Sequence, residues 1–153
     1  MAQKKMPGLI FLQNKKREGY NMSDISKDKK LNEYSKKAHQ MAKAKGFYDN
    51  GDRNIGEQLM LVVTELSEAV EAHRTGKRAL LDGYENWIDG TSYGEKEKEG
   101  FELYLKDTFE DEIADTFIRL FDLCGYMNID IETFIDAKMK YNSTRGNKHG
   151  KQY

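Results

Sequence analysis

The 153-residue chain has one cysteine, one proline and one tryptophan. A lone thiol, Cys124, excludes an intrachain disulfide, so nothing points to an oxidising compartment. The lone proline, Pro7, leaves every later residue free of the ring that breaks helices, which favours an all-α fold. No apolar run approaches the ~18 residues of a membrane-spanning helix. The patch from Gly8 to Leu12 is too short for a signal-peptide core and is followed by Gln13 to Arg17 instead of a small-residue cleavage site. The expectation is a cytoplasmic protein with no membrane partner. Glu-x-x-His is absent, which counts against a ferritin-like di-iron bundle. There is no glycine-rich phosphate loop, and His39 and His73 have no ligand neighbours at zinc spacing. Hydrophobic residues are also scarce, at 38%, so a second copy of the chain is expected to complete the core.

Net charge is nearly absent too, at −1, although 33% of residues are charged. The balance hides a segregation. Residues 1–45 hold twelve Lys/Arg against four Asp/Glu, residues 46–136 hold eight against twenty-two, and residues 137–153 hold five against none. That pattern excludes a uniformly basic binder of nucleic-acid polymers and a uniformly acidic disordered chain. It leaves an acidic middle suited to cations and a basic end suited to anions.

The pattern along the chain predicts a flexible basic extension over residues 1–27, a folded domain over 28–145 and a basic tail over 146–153. Four helices are expected. Leu31 to Lys45 carries an amphipathic stripe and ends at Gly46. Asn54 to Arg74 has an N-cap asparagine, with Glu57 placed to close a capping box. The middle of this second helix, Leu59 to Val63, is apolar on every side, which predicts a central position. Residues 82–100, with four glycines and a run of alternating Glu and Lys, read as a loop with at most a short helix. Phe101 to Leu123 continues the helical period and Gly125 is expected to stop it. A fourth helix follows the N-cap Asp130.

Two acidic pairs stand out. Glu65 and Glu68 lie three residues apart on the second helix, and Glu112 and Asp115 repeat the spacing on the third. Three residues place both side chains on one face, about 4.5 Å apart along the axis. Both pairs sit among apolar residues, so either their faces are solvated or the four carboxylates meet inside the bundle. If they meet, their repulsion requires a cation, and an oxygen-only set selects Mg²⁺ or Mn²⁺ over zinc. On the last helix, Lys138, Asn142 and Arg145 share a face, with Lys148 following. This stripe suits phosphate oxygens, or it is a basic C-terminal turn complementing the helix dipole. Tyr84 and Trp87 in the 82–100 segment could stack on a base or anchor a folded loop. Cys124 lies on an apolar stripe and is expected to be buried and inert.

The segment from Asn54 to Arg74 (NIGEQLMLVVTELSEAVEAHR) resembles the second helix of the MazG-like, all-α nucleoside triphosphate pyrophosphohydrolases. Glu112 to Asp115 is similar to their later ExxD, and Lys138 to Arg145 (KMKYNSTR) to their C-terminal phosphate-side segment. Ala38 to Tyr48 is similar to the end of their first helix. The likeness covers about residues 31–151 and rests on the order of these motifs. It implies a four-helix MazG-like bundle that assembles as a homodimer or homotetramer. It also implies Mg²⁺-dependent hydrolysis of the α–β phosphoanhydride of (deoxy)nucleoside triphosphates, giving monophosphate and pyrophosphate, a form of nucleotide-pool control. By the same resemblance Glu65, Glu68, Glu112 and Asp115 are metal ligands, with the catalytic base among Glu65, Glu68 and Glu112. Lys138, Asn142, Arg145 and Lys148 are then the phosphate contacts. The chain departs from the family motif in two ways. Thr64 stands where a first paired glutamate is frequent, with Glu71 as a possible substitute. The 43 residues between Glu68 and Glu112 are also more than compact members have, the excess being the 82–100 insertion. The competing expectation is a non-catalytic helical interaction module or nucleotide-binding regulator.

Overall fold

The computed structural model describes residues 30–89 and 94–146. Within them the chain forms six α-helices and no strand: α1 (Lys30–Ala44), α2 (Ile55–Arg74), α3 (Leu81–Ile88), α4 (Glu95–Tyr104), α5 (Phe109–Tyr126) and α6 (Ile131–Ser143). The all-α class is as expected. The predicted 1–27 extension lies outside the described residues, as does Lys148 in the predicted tail.

Local chemistry sets most of the helix ends. The Asn54 side chain accepts from the Glu57 amide at 3.3 Å and starts α2. Asp130 does the same for α6, taking the Thr133 amide at 3.2 Å. After α1 the chain turns left-handed at Gly46 (φ +82°), and Phe47 N–H reaches back to the Ala42 carbonyl at 3.1 Å.

Three expectations are corrected. First, the helix predicted from Phe101 is two helices. Asp107 turns left-handed (φ +57°), its amide donates to Asp111 Oδ2 at 2.9 Å, and Thr108 caps α5 by accepting from the Asp111 amide at 3.3 Å. The apolar period runs unbroken from Leu105 to Phe109, which concealed the break. A threonine followed by Glu110, Asp111 and Glu112 was the signal for a helix start. Second, Gly125 does not stop α5. It lies inside the helix where α1 crosses closest: a Cβ there would sit 2.5 Å from the Ser35 carbonyl oxygen. The left-handed residue that ends α5 is Asn128 (φ +52°), one of the few types that adopts this conformation cheaply. Third, residues 82–100 are mostly helical. Gly83 and Gly100 let α3 and α4 pair closely, with added Cβ atoms falling 2.8 Å from the Tyr104 ring and 2.7 Å from the Trp87 ring.

The centre of the molecule is α5, which packs on both α1 and α2. α6 rests on α1, and the α3–α4 hairpin hangs from the facing ends of α2 and α5 through Phe109 N–H to Lys77 O (3.1 Å) and Leu80 N–H to Tyr104 O (3.0 Å). Among the described residues α2, expected to be central, packs chiefly on α5 and leaves Met60, Val63 and Val70 exposed at 61%, 47% and 58%. An all-round apolar sequence says only that every face prefers cover; one chain supplies cover for one face. The buried set is small and mixed: Val62, Ala69, Ala72, Leu123 and Cys124 beside Ser35, Glu65, Thr108, Glu112 and Thr116. Cys124 is buried as expected, and burial raises its thiol pKa, which makes it less reactive.

Candidate metal centre

The α2–α5 contact brings together carboxylates from both acidic pairs. Glu65 in the middle of α2 and Glu112 in the first turn of α5 are buried, 5% and 6% exposed. Asp115, one turn further along α5, stands at the open edge. Oxygens of these three groups all lie within 4.8 Å of one another, a spacing that one cation can bridge. Glu68 is exposed and outside this trio, yet near enough for its charge to act on Glu112.

The electrostatics match that crowding. Burial, and then the charges of Glu68, Asp111, Glu65 and Asp115, push the Glu112 carboxyl up to about 6. Asp115 is raised by burial and by Asp111 and Glu65, while Arg119 pulls the other way. The donor set therefore fits a hard dication. All donors are oxygens, two of the three groups are dehydrated, and their mutual repulsion is what a cation would relieve.

Sequence reasoning missed three residues at this centre. Arg119 forms an ion pair with Glu65 through Nε. Its visible signal was a basic residue between Ile118 and Leu120, one turn beyond Asp115. Asp107 and Asp111 form with Glu112 a second group of carboxylates close enough to share a cation. Both also hold the entry to α5, where Lys106 Nζ lies 3.1 Å from Asp107. Neither Thr64 nor Glu71, the possible substitute for a glutamate at that position, joins the trio. Thr64 donates its hydroxyl back to the Met60 carbonyl at 3.2 Å, and Glu71 meets Arg74 at 3.5 Å on the surface. Glu110 is committed to structure: its carboxylate takes the Ala79 amide at 2.9 Å and pairs with Arg78, and the amide above all holds its pKa low.

The basic stripe is placed elsewhere. Lys138 on α6 and Arg145 just beyond its end lie over the Tyr141 ring, at 5.1 and 5.9 Å from its centre. Asn142 has a buried side-chain oxygen without a hydrogen-bond partner. The packing partner of α6 is α1, whereas the carboxylates sit between α2 and α5. Tyr84 and Trp87 clasp Gly100 in the α3–α4 hairpin, and Trp87 Nε1 donates to the Lys96 carbonyl at 3.0 Å.

Beside the trio lies a cavity of about 300 Å³ between α1, α2 and α5, walled by Met41, Phe47, Leu61 and Ile118 and reached by Asp115 and Arg119. One side of it is stiffened by Asp122, which accepts from the Tyr48 hydroxyl at 2.8 Å and pairs with His39 Nδ1 at 2.9 Å. Burial and Asp122 raise the Tyr48 pKa, so the phenol keeps its proton. No family model, curated protein or solved structure matches the chain.

Proposed function

We propose that the chain is a Mg²⁺-dependent nucleoside triphosphate pyrophosphohydrolase that releases a monophosphate and pyrophosphate. The observation that carries this reading is the convergence of Glu65, Glu112 and Asp115 from two helices, two of them buried. Glu65, Glu112 and Asp115 would hold Mg²⁺ or Mn²⁺, which would supply positive charge for the phosphates and acidify water. In this reading Glu68, exposed beside the trio, would accept the proton of the water that attacks the α-phosphorus. Lys138, Asn142 and Arg145 serve the phosphates. Because α6 packs on α1, this reading gives them to a second copy of the chain: self-association as a homodimer or homotetramer covers Met60, Val63 and Val70 of α2 and brings the cations of one copy to the carboxylates of another.

The test is a panel of ribo- and deoxynucleoside triphosphates with Mg²⁺, assayed for pyrophosphate. Release that EDTA stops supports the reading. Silence across the panel from folded protein overturns it in favour of a non-catalytic helical module. That second reading is favoured by one observation, the bare apolar face of α2. Among the described residues no helix is long and apolar enough to cross a membrane.

A further inference from the structure

Glu65 belongs to two partnerships. It is one of the three carboxylates that share a cation-sized space, and it is the carboxylate that Arg119 holds. Its side chain is 7% exposed, so it requires a counter-charge in every state of the protein. The Arg119 side chain is different: it is 42% exposed, is carried on a long stem, and opens onto the cavity beside Asp115 together with Arg53 and Gln58. Of the two partners only Arg119 has somewhere to go.

We propose that Arg119 is an exchangeable counter-ion and phosphate-binding residue. It neutralises Glu65 while the centre is metal-free, and turns to a phosphate of the nucleotide once a divalent cation takes Glu65. The inference rests on the function proposed above and assigns that site a residue outside both acidic pairs and the α6 stripe. Charge favours the exchange on both sides, at the carboxylates and at the guanidinium. Three carboxylates and one guanidinium leave a net double negative charge, and replacing the guanidinium by a dication reduces it to one. The dication then repels the guanidinium, and a polyphosphate lying between them attracts both. A guanidinium is suited to this role because its planar fork pairs equally with carboxylate and phosphate oxygens.

The test compares wild type with Arg119→Gln and Arg119→Lys in two titrations: Mn²⁺ alone, followed by electron paramagnetic resonance, and inorganic tripolyphosphate at saturating Mn²⁺, followed by calorimetry. Removing the competing cation should tighten Mn²⁺ binding of Arg119→Gln by about tenfold and weaken tripolyphosphate binding by about tenfold or more. Arg119→Lys keeps the charge but loses the fork, so its Mn²⁺ affinity should stay near wild type while tripolyphosphate binding falls part of the way. Weaker Mn²⁺ binding in Arg119→Gln would show a fixed strut that positions Glu65, and unchanged tripolyphosphate binding would show that no exchange occurs; either overturns the inference and leaves the metal centre standing. If Arg119→Gln does not fold, tripolyphosphate affinity of Arg119→Lys equal to wild type overturns it. Wild type that binds no Mn²⁺ overturns this inference and the metal centre together.

Discussion

The carboxylates of α2 and α5 and the cations of α6 obey one spacing rule, in which residues three, four or seven apart share a helix face, yet the fold treats them differently. Glu65, Glu112 and Asp115 are packed against one another across a helix pair, and burial with the neighbouring charges raises the carboxyls of Glu112 and Asp115. Lys138 and Arg145 are left over the exposed ring of Tyr141, on a helix that rests on α1. The acidic group is costly to assemble and the single chain assembles it anyway; the basic group is cheap to assemble and the single chain leaves it at the periphery. A cluster that the fold builds against its own electrostatics is better evidence of a ligand than one laid out on a surface.

The sharpest way to break the contrast is at its acidic side. Glu68→Ala and Asp115→Ala alter exposed side chains, so both variants should keep wild-type helical circular dichroism while pyrophosphate release drops by about 100-fold or more. Turnover retained in both would sink the metal centre. Gly125→Ala separates the two regions by stability instead. A methyl 2.5 Å from the Ser35 carbonyl forces apart α1 and α5, costing about 1–3 kcal/mol and lowering Tm. An unchanged Tm would mean that this crossing is looser than the structure has it.

The raised Glu112 carboxyl gives a pH test. Its pKa of about 6 in the fold lies above the 4.5 of the free side chain, so the protonated form is favoured by folding. That contribution is complete below pH about 4.5 and is lost as pH rises through about 6, a change of about 2 kcal/mol. Metal-free protein should therefore lose Tm from this group between pH 5 and 7, and Mg²⁺ should restore it above pH 6 but not at pH 5. A Tm that responds to Mg²⁺ equally at pH 5 and 7 would contradict the assignment. The smallest effect belongs to the basic side. Arg145→Ala should raise KM about tenfold with little change in kcat, and mixing it with Asp115→Ala should recover activity if cations and carboxylates meet across copies. No recovery from subunits shown to exchange would place the stripe and the carboxylates in separate roles.

Helix existence, most caps and the two acidic pairs were legible because each depends on residues within about one turn: Asn54 with Glu57, Asp130 with Thr133, Glu65 with Glu68. The misreadings arose where two local signals competed. A continuous apolar period hid the Thr108 cap, and Gly125 was taken for an end because the α1 backbone that requires a glycine there comes from ninety residues earlier in the chain. Arg119 was passed over for the same reason, since its partner lies 54 residues away on another helix.

The sequence by itself determined the class of fold, where α2 and α6 start and which carboxylates share a face, since these follow from capping chemistry and a 3.6-residue repeat. Only the tertiary structure decided that α5 and not α2 is the centre, that Glu68 stands at the rim while Glu65 is paired with Arg119, and that α6 packs on α1. Those outcomes depend on which faces find partners, and that is set by the packing of residues far apart in the chain.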